Sequence, residues 1–360
     1  MPLADRAFLF DLLGTPSPTG FEAAGQQKWA AYVKPHADAV EADAYGNVWA
    51  TVEATEADAP TVLLEAHADE IGFIIKHIAK DGFIYVDRIG GSDAAIARGK
   101  RLHFLTPEKP VLGVIGNTAI HLRERGKDEK APKPHELFVD IGAASQEDVE
   151  TRGLRVGTPA VYVDRVEELT PQRLIGRALD NRLGGYVIAQ VLKAYAQESF
   201  RPARLVALNS VQEEIGGHGA QMAAYRLDPD VALVIDVTHA TDSPGIKESQ
   251  HGTVALGGGP TITHGTVNHP AVVKRLMEVA ALDDLALQHE SSSRYSGTDT
   301  DVIFKTKTGI PSALISVPMR YMHSTIETVD VADIDGATRL MAGFVRSLRS
   351  GDAFQAVTLL

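Results

Sequence analysis

Cysteine is absent from the 360-residue chain. Disulfides, thiolate catalysis and cysteine-ligated zinc or iron–sulfur clusters are therefore excluded, and any bound metal must be held by His, Asp and Glu. Basic residues are in deficit, 35 against 47 acidic ones for a formal net charge of -12, which disfavours nucleic acid as a partner. No apolar run approaches the length of about 18 residues that a membrane span needs. The opening MPLADRAFLFDLLG places an acid ahead of its short apolar stretch, so it is expected to be neither a membrane span nor a signal peptide, and a cytoplasmic protein is expected. What remains, 44% hydrophobic and 23% charged, is ordinary globular composition rather than disorder or coiled coil. The length itself suggests two domains.

Along the chain the texture changes twice. Helical spacing is expected over Leu3 to Leu13 and Phe21 to Val33, the latter ended by Pro35. Strands are expected at Asn47–Val52 and Thr61–Leu64. Between about Ile71 and Glu168 no long helix is predicted. Short β-rich runs (72–75, 83–86, 101–105, 111–115, 137–140 and 160–163) are separated by turn signals, as in a small antiparallel sheet or barrel. The charged, proline-bearing stretch Arg123 to His135 reads as an exposed loop. After Leu174, helices expected at 183–197, 219–225, 271–281 and 333–348 alternate with strands at 204–209, 231–236 and 312–317, the signature of parallel βα units. The fold class expected is α/β, with an inserted β-rich module. One α/β domain (1–70 and 168–360) would be interrupted by residues 71–167.

Acids and histidines cluster where such sheets bind ligands, beyond the carboxyl ends of the strands. His67 and Asp69 follow the strand at 61–65, Glu213 and Glu214 follow 204–209, Asp236 ends 231–235, and His323 lies six residues after Val317. Asp180 stands directly before a predicted helix, whose free N–H groups favour an anion. A single His or strand-end Asp is usually a surface, turn or capping residue. Two His with three to four carboxylates on one sheet edge, and no thiols, instead form a mixed N/O donor set suited to a pair of divalent ions such as zinc, cobalt or manganese. Gly216-Gly-His-Gly219 and Gly257-Gly-Gly-Pro260 lack nucleotide-loop spacing. Ser291-Ser-Ser293 lacks a nucleophile elbow. His264, His269 and His289 fall off the strand-end pattern.

The ordered motifs His67-Ala-Asp-Glu-Ile-Gly72, Ala178-Leu-Asp-Asn-Arg182, Val211-Gln-Glu-Glu-Ile-Gly216, Ile235-Asp236, Gly297-Thr-Asp299 and Pro318-Met-Arg-Tyr-Met-His-Ser324 together resemble the M42 family of dinuclear metallo-aminopeptidases. The likeness runs from Pro16 to Glu327. It implies a mixed sheet flanked by helices, zinc-peptidase-like, with the inserted β-rich barrel-like module serving dimerisation. By the resemblance, His67 binds one of two divalent ions (zinc or cobalt, with manganese an alternative) and His323 the other. Asp180 bridges them, and Glu214 and Asp236 each add a carboxylate. Asp69 orients His67, Glu213 is the general base, and the peptide after Asp180 is cis. Gly297, Thr298, Asp299 and Arg320 are implied as substrate contacts. One departure is Ser293-Arg-Tyr-Ser-Gly297, where the family carries a more glycine-rich run in the part of the chain that shapes the specificity pocket. The implied activity is removal of N-terminal residues from peptides by a metal-activated water, in a homo-oligomer of dimers, a tetrahedral dodecamer. Three rivals are another metallo-amidase or deacylase on the same site, an endoglucanase-type glycoside hydrolase using two carboxylates, and a non-enzymatic scaffold. The glycosidase leaves both histidines without a role, and the scaffold does the same for Glu213.

Overall fold

The computed structural model describes residues 4–123 and 130–357. Part of the stretch expected as an exposed loop, residues 124–129, and Leu3, the first residue of the first expected helix, lie outside these. In the strand Thr61–His67, Val62, Leu64 and Ala66 join one apolar cluster while Leu63 joins another. Arg204–Ser210 and Val231–His239 repeat the alternation, with Leu205, Ala207, Leu233 and Ile235 on the first side and Val206, Leu208, Ala232 and Val234 on the second. Strands apolar on both faces must be covered on both. Helices Arg6–Gly14, Ala23–Val33, Leu179–Tyr195, Pro270–Leu282 and Val331–Ser347 cover the larger cluster. His218–Leu227 and the single turn Thr300–Ile303 cover the smaller one. Leu179–Tyr195 is buried along nearly its whole length, as befits a helix with the sheet on one side and other helices on the rest.

The sheet is mixed. Its strands run in the order 39–42, 48–52, 204–210, 61–67, 231–239, 312–320, 327–330, 173–176 and 167–170, and a pair at 261–264 and 288–291 branches from 312–320. The four central strands, 204–210, 61–67, 231–239 and 312–320, are mutually parallel. All their carboxyl ends therefore open on one edge. Ser210 is level with His67, and Asp236 with Ser316. Asp236 lies inside a strand that continues to His239, three residues further than the apolar run suggested.

Between Gly72 and Tyr162 the chain forms a closed barrel in the strand order 72–78, 84–89, 138–140, 111–115, 101–104 and 159–162. It has its own apolar interior, including Phe73, Ile75, Ile84, Val86, Leu102, Phe104, Val139 and Tyr162. The turn that follows its strand Ile84–Ile89 carries Gly90 and Gly91 back to the sheet edge of the α/β layer.

Candidate metal centre

His67, Asp180 and Asp236 offer donor atoms within 4.8 Å of one another, and so do Asp180, Glu214 and His323. Asp180 belongs to both groups because its two oxygens face opposite ways: Oδ1 lies 3.3 Å from His67 Nε2 and Oδ2 lies 3.4 Å from His323 Nε2. On the His67 side, Asp236 Oδ1 approaches Nε2 at 3.7 Å and Glu213 Oε2 at 3.8 Å. On the other side, Glu214 Oε2 lies 3.5 Å from His323 Nε2. The local backbone is unusual here. The Asp180–Asn181 peptide is cis, and Ala178, Gln212, Tyr321 and His323 sit in the left-handed region with φ between 59 and 63°. Non-glycine residues adopt that region only where surrounding contacts hold them there.

Those contacts come from a ring of buried groups. Asp69, fully buried, faces His67 Nδ1 through Oδ1 at 3.4 Å. It also accepts hydrogen bonds from the backbone N–H of Glu213 at 3.0 Å and Glu214 at 3.2 Å, and from the Thr19 hydroxyl at 2.8 Å. Asp69 thus orients a histidine through its backbone carbonyl, 3.2 Å from Nδ1, together with its carboxylate, and the carboxylate holds the turn carrying both glutamates. Glu327, 1% exposed, accepts from the N–H of Leu179 at 2.9 Å and of Asp180 at 3.3 Å. Sequence reasoning passes over it because it stands far from Asp180 along the chain and follows no apolar run. Asn181 donates to the Ile235 carbonyl at 2.7 Å, tying the Asp180 peptide to the strand that bears Asp236. The barrel contributes too. The Gly91 backbone accepts a hydrogen bond from the His323 imidazole, and a Cβ at Gly91 would overlap that ring. The Gly90-Gly91 pair was the available signal.

The electrostatics fit cations. Asp69, Asp180, Glu213, Glu214 and Asp236 converge on two histidines, and no Lys or Arg is among the described residues that line the cleft of about 570 Å³. Burial and neighbouring carboxylates push Glu214 well above the ordinary range. Burial likewise raises Glu213 and Asp236, against the pull of His67. Burial also opposes charge on Asp180 and His67, but hydrogen bonding wins: His323 and His67 lower Asp180, and Asp180, Asp236 and Asp69 raise His67. Glu214 Oε1 is buried with no hydrogen-bond partner. An orphaned carboxylate oxygen beside unneutralised acids is what a divalent cation with N/O ligands satisfies.

Of the implied substrate contacts, Gly297 and Thr298 line the cleft. Asp299 is buried beneath it and accepts from the Ser210 hydroxyl at 2.9 Å. Arg320 is paired with Asp242, its Nε and Nη2 each 2.7 Å from a carboxylate oxygen. His264 and His289 are bonded to each other at 2.9 Å outside the cleft.

The family model described as M42 glutamyl aminopeptidase matches residues 46–340. A lysyl aminopeptidase of Pyrococcus furiosus is 31% identical over 354 residues, covering 97% of this chain and 99% of the relative. The solved aminopeptidase of the archaeon Desulfurococcus kamchatkensis is 34% identical, with a TM-score of 0.89 over 96% of this chain and 95% of that one. The TET1 peptidase of Pyrococcus horikoshii, described as assembling into a tetrahedron or a large octahedral shell, has a TM-score of 0.84 at 25% identity over 96% of this chain and 100% of its own. Fold and relatives together define a hydrolase of the exopeptidase class. The chain belongs to the M42 peptidase family.

Proposed function

We propose that this chain is a dinuclear metal-dependent aminopeptidase, with zinc or cobalt in the two positions and manganese as an alternative. The single observation that carries this reading is the placement of Asp180, one oxygen toward each histidine. A carboxylate so shared would serve both positions. His67 and Asp236 would complete one position, and His323 and Glu214 the other. Two divalent ions there would supply Lewis acidity, acidifying water and polarising the scissile carbonyl.

The rest is done by side chains. Asp69 fixes the His67 ring by engaging Nδ1, leaving Nε2 as the donor toward the cleft. Glu213 belongs to neither donor triad, yet its carboxylate faces the same space. It takes the proton of the attacking water on a carboxylate oxygen and returns it to the leaving amine nitrogen as the C–N bond breaks. An ion held by these residues would also accept a free, uncharged substrate α-amine, which would restrict cleavage to the first residue.

The chain is proposed to act in the cytoplasm as dimers joined through the barrel, assembled into a tetrahedral dodecamer. Leu112 and Val114 on the barrel strand Val111–Ile115 are 49% and 44% exposed and offer apolar surface for the first contact. No helix among the described residues is long and apolar enough to cross a membrane.

Dialysis against a chelator tests the reading. Hydrolysis of aminoacyl chromogenic substrates should vanish and return with zinc, cobalt or manganese, while N-acetylated versions stay intact throughout. Activity that survives complete metal removal, on peptides or on glucans, would mark a metal-independent hydrolase such as a glycosidase. Cleavage of blocked substrates would mark a general metallo-amidase instead.

A further inference from the structure

Beside the metal cleft, and joined to it through Val237, Thr238, Ser296 and Thr298, lies a recess of about 410 Å³. Strand parity explains why the two share a face. Asp236 and Thr238 are two residues apart, Ser316 is level with Asp236, Thr261 is level with Ser316, and Thr263 is level with Glu290. All of them lie on the side of the sheet opposite Ile235, Ile262 and Ile315, which are in the large apolar cluster. The walls of the recess are therefore rich in oxygen.

Glu290 is its one carboxylate among the described lining residues. Oε1 accepts from the Thr238 hydroxyl and Oε2 from the Thr261 hydroxyl at 2.8 Å. Two neutral donors hold the group in place without cancelling its charge, and no Lys or Arg among the described residues forms an ion pair with it. Ser316, 1% exposed and lining the same recess, has a hydroxyl oxygen with no partner. The one cation on the wall among the described residues, Arg294, is exposed and lies over the Tyr295 ring at 5.0 Å. A half-buried, uncompensated carboxylate beside an unpaired hydroxyl calls for an N–H-rich cation, which has donors and no acceptor.

We propose that this recess receives the side chain of the substrate's first residue, and that Glu290 selects lysine and arginine there. The proposal rests on the aminopeptidase reading. Thr238 lies about 7 Å along the strand from Asp236, a separation that the four-carbon stem of a lysine can bridge when its α-amine is at the metal centre. A glutamyl side chain would meet the Glu290 charge head on. A leucyl side chain would fill space but desolvate a carboxylate without replacing its water.

The test uses metal-loaded full-length enzyme and the p-nitroanilides of lysine, arginine, leucine and glutamate. Wild type should show kcat/KM for lysine and arginine at least about tenfold above leucine, with glutamate lowest. Glu290→Gln should lower the lysine and arginine values about 10–100-fold, the usual worth of a hydrogen bond to a charged group, and leave leucine within about threefold. Glu290→Asp keeps the charge and should retain the basic preference, which guards against a folding defect in the first variant. A wild type that prefers leucine or glutamate overturns the assignment, as does a Glu290→Gln that loses leucine and lysine activity equally. Failure of metal-loaded wild type to cleave any of the four overturns the aminopeptidase reading itself, and this inference with it.

Discussion

Glu213 and Glu214 are neighbours in the chain with different surroundings, and the difference separates their roles. Glu214 shares a donor triad with Asp180 and His323, whereas Glu213 belongs to none. Glu213→Gln should lower kcat by about 10²–10⁴-fold, the range for a lost general base, with metal content by mass spectrometry unchanged. Glu214→Gln should drop bound metal toward one ion per chain and recover part of its activity with added metal. The reverse pattern would exchange the two roles. Gly91 offers a second residue-scale test. An added methyl group overlaps the His323 ring, so Gly91→Ala should cost metal at that histidine while the melting temperature stays within a few degrees. Unchanged metal content in the folded variant would show that the ring has room to move. The residues that converge here were legible in the sequence because they lie near or just beyond the carboxyl ends of strands or, for Asp180, at the start of a helix, where position along the element fixes position in space. Glu327 and Gly91 were not, since they act through backbone contacts that cross from one part of the fold to another.

Among the elements, the helix Val331–Ser347 shows how one buried acid can serve two segments. Asp330 caps it by accepting from Ala332 N, while Asp333, fully buried, accepts from the N–H of Gly257 at 2.7 Å and Gly259 at 2.8 Å. Burial pushes the Asp333 carboxyl up from 3.8 to about 6 despite those donors. A carboxyl raised on folding stabilises the protein below its unfolded value and loses that contribution as pH climbs to the folded one, here between about pH 4 and 6. The loss is on the order of 3 kcal/mol. Denaturant titrations of wild type and Asp333→Asn should therefore converge or cross in favour of the variant as pH rises from 4 to 7. A difference that is flat across that range would show that the group titrates normally. The long apolar helices and central strands were visible as periodicity. The edge strands Ala39–Ala42 and Glu167–Thr170 were not, because they are exposed along most or all of their length and carry no core-facing alternation. The strands Thr261–His264 and Gln288–Ser291 were hidden for a related reason, being short and lined with hydroxyls, amide and acid rather than hydrocarbon.

For the whole molecule, assembly is the property most open to direct measurement. Light scattering of the metal-loaded protein should give a particle of about twelve chains, and Leu112→Glu with Val114→Glu should reduce it to smaller species. A wild type that remains a monomer under those conditions would rule out the proposed assembly. The chain order of the site carries a consequence for how the protein is made. His67 is translated before the barrel, and Asp180, Glu213, Glu214, Asp236 and His323 after it, while Gly91 of the barrel buttresses the last of them. A ribosome must therefore finish the entire inserted module before a second side chain of the proposed centre exists, and nearly the whole chain before both triads do. A chain that stops short of His323 lacks one donor of the proposed centre and should therefore release no product from an aminoacyl substrate.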